Sequence, residues 1–321
     1  MTSKLELNNV TMDFKAKKSM FKTSIVRAVD EASISLAPGE TLGIVGESGS
    51  GKTTLARIAL RLLRPTAGTV MFDGSDITNQ PEKQLKDLRR RVQGVFQDPF
   101  ASLDPFMTIG QILEEPLVIH KIGDSAGRKD AAARVLDEVK LRPANDYLGG
   151  FTHLLSGGQR QRVAIARALL LKPEYIVADE PVSMIDASSR AEILSLFSEL
   201  QRSHNLGFLY ITHDIATAGY FCHRIAVMYL GRIVETGPAR ELIRHPQHPY
   251  TQALIAAIPT PDPQNRFRER AVIPLETASS RVNAGCAFFP RCLKAEKGRC
   301  DTIKPVAVEV AAGHRVECLR L

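Results

Sequence analysis

The chain has 321 residues, 44% of them hydrophobic, enough for a sizeable core in more than one domain. Its charged residues, 24% of the total, are interspersed, which excludes wholesale disorder. The net charge of +7 comes from scattered Lys and Arg with few interleaved aromatics, so it reads as a diffuse excess rather than a nucleic-acid surface. No apolar run approaches the roughly 20 residues needed to cross a bilayer, and the first residues lack the apolar stretch of a secretory signal. A cytosolic protein whose membrane contact is peripheral is expected.

Residues 5–14 and 28–36 read as strands. In the second, Ala32, Ile34 and Leu36 alternate with Ser33 and Ser35, the period of a half-buried strand. The basic cluster Lys15, Lys17, Lys18 and Lys22 between them reads as a solvated loop. Residues 41–45 are a short buried strand, and 52–63 have helical spacing that stops before Pro65. Strands follow at 69–72 and 92–96. From about 98 to 165 the pattern is mostly helical, with polar loops at 123–127 and 148–150, which predicts a helical subdomain inserted into an α/β core. Buried strands return at 174–178, 206–211 and 225–229, separated by helices at 187–203 and 214–221. This alternation implies a largely parallel sheet, with the first strands and 231–236 adding antiparallel pairing. After about residue 245 come a short helix at 251–258, a proline-rich linker at 259–263 and a cysteine-bearing tail. Two units are expected, 1–245 and 246–321.

The chemistry concentrates in a few motifs. Gly46-Glu47-Ser48-Gly49-Ser50-Gly51-Lys52-Thr53, followed by Thr54, is a P-loop, and it stands after a strand and opens a helix. Its glycines let backbone N–H groups curl around phosphate oxygens, and the helix N-terminus adds a favourable dipole. Lys52 is expected at the β- and γ-phosphates and the Thr53 hydroxyl on Mg²⁺. Asp179 and Glu180 close the apolar strand at 174–178, with Asp179 able to reach the same metal. Ser156, Gly157 and Gly158, followed by Gln159, open another helix and can bind a phosphate for the same reasons. Cys222 stands alone, whereas Cys286, Cys292, Cys300 and Cys318 crowd the tail. In a cytosolic chain such clustering points to metal rather than disulfides.

With the P-loop, Leu155-Ser-Gly-Gly-Gln159 and the Asp179-Glu180 pair together, the chain resembles the ATP-binding subunits of ABC transporters. The resemblance covers nearly the whole chain. It implies a P-loop NTPase α/β core with the inserted helical subdomain and an N-terminal antiparallel β-subdomain. Glu180 would polarise the attacking water as general base, Gln97 would touch Mg²⁺ or that water, and His213 would bond the γ-phosphate. Phe14 would stack on adenine, although a core Phe fits that position nearly as well. Asp186 matches the loop after the carboxylates, where Met184 and Ile185 depart from the usual Ala and Leu. Residues 156–159 would close over the ATP of a second ATPase subunit, so that two chains sandwich two nucleotides head to tail.

Three features resemble the oligopeptide/dipeptide/nickel importer group. They are residues 97–105, the His248-Pro-Tyr250 segment, and Gly285-Cys-Ala-Phe-Phe-Pro-Arg-Cys292. The group implies two permease subunits, usually two different ATPases, an external solute-binding protein, and a place on the cytoplasmic face of the cell membrane. The tail spacing lacks the paired Cys-x₂-Cys of zinc ribbons, and with the resemblance it favours a [4Fe–4S] cluster over zinc or unligated thiols. Di- or oligopeptides are the expected cargo, with oligosaccharides, nickel and opines as alternatives. A nucleic-acid or ribosome ATPase is disfavoured, because no heptad run and no second ATPase unit occur. A GTPase switch lacks its Asn-Lys-x-Asp motif.

Overall fold

The computed structural model describes residues 4–19, 22–258 and 284–321. β1 (Leu5–Ser19) and β2 (Lys22–Leu36) form a long antiparallel ribbon. Near its base Leu5, Leu7, Val10, Val29, Ala32 and Leu36 are buried, whereas Ile25 and Val26 towards its far end are exposed. Both strands outrun their expected bounds, and the lysine segment is strand rather than loop. Backbone pairing continues past Lys15↔Ile25, two residues that are both exposed. Only burial writes a period of two into the sequence, so the outer half is silent.

β3 (Thr41–Val45) leads into α1 (Lys52–Ala59), a turn shorter than expected. β4 (Ala67–Phe72), β5 (Ser75–Asp76), α2 (Lys86–Arg91) and β6 (Val92–Val95) follow. The helical insertion holds α3 (Pro99–Ser102), α4 (Ile109–Ile119), α5 (Ser125–Glu138), α6 (Asn145–Leu148) and α7 (Gly157–Leu169). Asp124 accepts the Gly127 N–H and starts α5 at Ser125, so three of the five residues expected as loop at 123–127 are helix. β7 (Tyr175–Asp179), α8 (Ala187–His204), β8 (Gly207–Thr212), α9 (Ile215–Phe221) and β9 (Arg224–Tyr229) alternate as expected. β10 (Arg232–Pro238) and α10 (Ala239–Arg244) complete the core, and α11 (Pro249–Ala256) follows. The tail adds the hairpin β11 (Val308–Ala311) and β12 (His314–Val316), which the sequence reading missed. The linker expected at 259–263 lies outside the described residues.

Two sheets result, ordered β2-β1-β4-β5 and β11-β12-β10-β9-β3-β8-β7-β6. β9, β3, β8, β7 and β6 are mutually parallel, and β10, β12 and β11 continue antiparallel at one edge. One apolar layer packs α1, through Leu55 and Ile58, between the two sheets. The other joins α7, α8 and the opposite face, where Phe197, Phe208 and Phe221 meet. That second layer reaches the tail through Tyr229, Tyr250 and Phe288, whose rings lie 4.6–5.4 Å apart.

Candidate nucleotide site

Four parallel strands end side by side. Val45 pairs with Thr212, Ile211 with Asp179, and Ala178 with Val95. The residues at or just after each strand end therefore share one edge: Gly46, Gln97, Asp179 with Glu180, and His213. Ligands of open parallel sheets bind at that edge.

The P-loop turns through Gly49 and Gly51, both at positive φ (80° and 102°). At Gly51 a Cβ would stand 2.2 Å from the Ala28 carbonyl oxygen, so only glycine lets the loop close against the ribbon. Ser50 is buried, Ser48 is exposed, and Thr54 is half-buried in the first turn of α1. Lys52 is 4% exposed, and its Nζ donates to the carbonyl oxygens of Gly46 (2.7 Å) and Glu47 (2.8 Å). Burial lowers the Lys52 pKa, opposed by the carboxylates of Glu180, Asp179 and Glu47. The ammonium thus sits within the curl of the loop, satisfied by carbonyls that phosphate oxygens can replace.

Thr53 Oγ1 donates to Asp179 Oδ1 at 3.2 Å. Asp179 is nearly buried, and burial raises its pKa, offset by the Thr53 hydrogen bond and reinforced by Glu180. A cation beside this carboxylate would relieve that cost. The Thr53 hydroxyl, the Asp179 carboxylate and the Gln97 amide oxygen form the kind of all-oxygen donor set that suits magnesium.

Glu180 has φ 46° and donates its N–H to the Ile211 carbonyl at 3.0 Å. This left-handed bend, costing about 1–3 kcal/mol in a non-glycine residue, separates its side chain from that of Asp179. Glu180 Oε2 accepts from Gln97 Nε2 at 3.3 Å and lies 3.4 Å from His213 Nδ1. A cavity of about 50 Å³ adjoins it, lined by Glu180, Ser183, Arg190, Thr212, His213 and Asp214. That is room for a water molecule among polar partners. A cleft of about 730 Å³ opens on the other side, bounded by Thr53, Gln97, Asp179, Phe96 and Arg167.

Three sets of expected residues stand apart. Ser156 caps α7 with a reciprocal capping box to Gln159, and Gly157 and Gly158 form its first turn. Among the described residues neither Ser156 nor Gln159 hydrogen-bonds the P-loop; a Cβ on Gly157 would instead meet Ile185, and one on Gly158 would meet Ser189. Asp186 caps α8, and hydrogen bonds from Ser188 and Ser189 hold its carboxyl well below the usual range. Phe14 lies on β1 opposite Val26 and is 38% exposed, so it is not a core residue.

Residues 29–183 match the ABC transporter family, and residues 234–300 match the oligopeptide/dipeptide transporter C-terminal region. The oligopeptide transport ATP-binding protein AppF of Bacillus subtilis is 43% identical over 319 residues, covering 98% of this chain and 96% of AppF. A Brucella ovis protein, provisionally named a peptide import ATP-binding protein, is 46% identical over 306 residues, 95% of each chain. The chain belongs to the ABC transporter ATP-binding proteins. Its fold agrees: the dimeric cassette MJ0796 bound to ADP and phosphate superposes with a TM-score of 0.65 at 30% identity, covering 74% of this chain and 99% of that one. CbiO1 of Clostridium perfringens, part of the cbiONQ transporter complex, gives 0.65 at 25% identity over 76% and 92%.

In this ABC protein the tail reaches the P-loop. Arg291 pairs with Glu47 through two hydrogen bonds, and the Glu47 N–H donates to Tyr250 Oη. Sequence reading missed both contacts. Their partners lie more than 200 positions apart, and no periodicity spans such a gap. The four tail cysteines gather into one neighbourhood, where Cys286 donates its N–H to the Cys300 carbonyl at 2.7 Å. Burial pushes the Cys286 thiol up to about 11 and raises Cys292 and Cys318, and the neighbouring thiols add to each shift. As placed, they gather without reaching ligand spacing: among the described residues no three His, Cys, Asp or Glu side chains converge closely enough for a metal ion. Cys222 is a buried thiol in the core. Among the described residues no helix is long and apolar enough to cross a membrane.

Proposed function

We propose that this ABC protein is the ATP-hydrolysing subunit of an importer for di- or oligopeptides. The observation that carries the ATPase reading is the convergence of Gln97 and His213 on one oxygen of Glu180, beside a water-sized cavity. Glu180 is the general base for that water, His213 aligns it against the γ-phosphate, and Gln97 reports whether the site is filled. Lys52 and the N–H groups of residues 46–54 hold the phosphates, and Phe14 stacks on adenine from the ribbon. Magnesium, held by Thr53, Asp179 and Gln97, would neutralise phosphate charge when bound. A positioned base contributes roughly 10²–10⁴-fold to such a rate.

The site is completed by a second ATPase subunit. Ser156, Gly157, Gly158 and Gln159 form a capped helix start that, among the described residues, makes no hydrogen bond to its own P-loop; it is suited to the partner's γ-phosphate, and Asp186 braces the adjoining loop. A different ATPase is the expected partner, with a second copy as the alternative. Residues 1–245 form the ATPase unit and 246–321 the extension. The pair sits on two permeases at the cytoplasmic face of the membrane and is fed by an external solute-binding protein.

The peptide reading is supported by the C-terminal region match and by the names of the relatives. In the same reading the tail thiols Cys286, Cys292, Cys300 and Cys318 would hold a [4Fe–4S] cluster once drawn together from the wider spacing they have here. Their gathering and all-sulfur donor set support this; iron and acid-labile sulfide both near zero after anaerobic purification would exclude it. For the whole assignment, tagged Glu180→Gln protein is captured with ATP from gently solubilised membranes. Two permeases and a second ATPase are expected. Ribosomal or DNA-bound partners would refute the importer. A co-captured binding protein that takes sugar and not peptide would refute the cargo.

A further inference from the structure

Glu47 places a carboxylate in the loop that must accept a polyanion. Its charge is answered from the far end of the chain. Arg291 donates Nη1 to Oε2 at 2.8 Å and Nη2 to Oε1 at 2.9 Å, the two-pronged geometry in which arginine binds carboxylates most strongly. The guanidinium is built into the protein and the carboxylate is the partner facing outward, at 8% and 42% side-chain exposure. Arg291 is seated within 6 Å of the ring centres of Tyr229 and Phe288. The Glu47 backbone is held as well. Its N–H donates to the hydroxyl of buried Tyr250 at 2.9 Å, and its carbonyl accepts Lys52 Nζ at 2.8 Å. Thus one P-loop residue is gripped at its side chain and its amide by residues that follow position 245.

We propose that Arg291 and Tyr250 are positioning residues of the nucleotide site. Arg291 neutralises Glu47, and together with Tyr250 it fixes the first turn of the P-loop in its phosphate-accepting shape. This rests on the reading of residues 46–53 as the ATP cradle. It makes the C-terminal extension a working part of that cradle rather than an appendage. Arg291 ends the short turn Phe289–Arg291 between Cys286 and Cys292, so ordering that turn and gripping the P-loop are one event. A neighbour that loosens the turn weakens nucleotide binding without touching the nucleotide.

The test is a binding titration of the full-length chain with a fluorescent N-methylanthraniloyl-ATP, beside thermal melting. Wild type must bind, and Lys52→Ala must lose binding; failure here refutes the ATP cradle itself. Given binding, Arg291→Ala should weaken the analogue about five- to tenfold, because it leaves the Glu47 charge bare beside the phosphates. Arg291→Lys, keeping charge but losing the fork, should fall between. The deciding variant is Glu47→Gln combined with Arg291→Ala. Removing the stranded charge should restore affinity to within about twofold of wild type, which a merely structural arginine would not allow. An unchanged dissociation constant in Arg291→Ala, or a loss that Glu47→Gln fails to relieve, would overturn the proposal. If Arg291→Ala does not fold, Arg291→Lys decides: affinity equal to wild type refutes the positioning role, and a two- to threefold loss supports it.

Discussion

Glu235 on β10 joins the extension to the ATPase core, and its removal gives a stability loss that can be worked from the structure. Its carboxylate is fully buried and accepts three hydrogen bonds: from Gln247 N at 2.8 Å, His248 N at 3.0 Å and His314 Nε2 at 2.7 Å. The first two belong to the segment entering α11 and the third to β12, so one side chain ties two parts of the extension to one strand. Glu235→Ala strands all three donors in a site where His314 is only 2% exposed. Each buried orphan costs about 1–3 kcal/mol, and water entering the vacated space relieves part of the sum. With three donors orphaned and part of that cost relieved, we expect a loss of about 3–5 kcal/mol. At roughly 2–4 °C per kcal/mol for a domain of 150–250 residues, the melting temperature should fall by about 6–20 °C. Glu235→Gln conserves volume and leaves one acceptor oxygen, but it turns an amide NH₂ towards a donor, so an intermediate loss of about 1–2 kcal/mol is expected. Chemical denaturation of the three proteins, followed by the exposure of a tail thiol, reads this directly. A Glu235→Ala loss below about 1 kcal/mol, or a Gln variant as weak as the Ala variant, would refute the hub.

Three further outcomes follow from other sites. Glu180→Gln should bind ATP as wild type does, hold the dimer closed and lower turnover by about 10²–10⁴-fold; turnover near wild type would remove Glu180 as the base. His248 is buried with its pKa lowered by burial to about 4, and its Nδ1 caps α11 by accepting the Tyr250 N–H. The unfolded chain takes up that proton near pH 6.5 and the folded chain only near pH 4. Stability is therefore full above pH 6.5 and falls by roughly 3 kcal/mol as pH drops to 4. His248→Asn keeps a capping acceptor and should flatten that part of the acid limb, so a wild-type–variant difference that stays constant from pH 7 to 4.5 would contradict it. Ser156→Ala breaks the capping box of α7 at a cost of about 1 kcal/mol and should abolish dimer turnover while each chain still binds ATP; retained turnover would mean that residue 156 does not face the partner's nucleotide.

The nucleotide edge was legible in the chain because each of its parts is local. Gly46–Thr53 is a loop whose glycines and lysine carry their purpose in their order. Asp179 and Glu180 could be assigned because a buried parallel strand is a run of apolar residues, and the residues that end it stand at the sheet's edge. Gln97 and His213 come from the family resemblance, as residues that follow the strands at 92–96 and 206–211, and the register of the parallel sheet stands them beside Asp179 and Glu180. Helix starts at Ser156 and Asp186 were readable for the same reason, since a capping side chain bonds only two or three positions ahead.

What escaped the sequence is whatever depends on contacts between distant segments. Burial, not backbone pairing, sets hydrophobic period, so the outer ribbon beyond Phe14 looked like a loop. β12 was missed because three residues give no period, and it forms only because β10 offers an open edge. The left-handed bend at Glu180 leaves no mark on residue type, yet it sets the direction of the proposed base. Whether four cysteines approach to ligand spacing is likewise a matter of tertiary placement and not of their intervals. The grip of Arg291 and Tyr250 on Glu47 lies deepest of all. Local order writes a motif into consecutive residues, but an ion pair across 244 positions exists only after the sheet and the aromatic cluster around Phe288 have brought its two ends together.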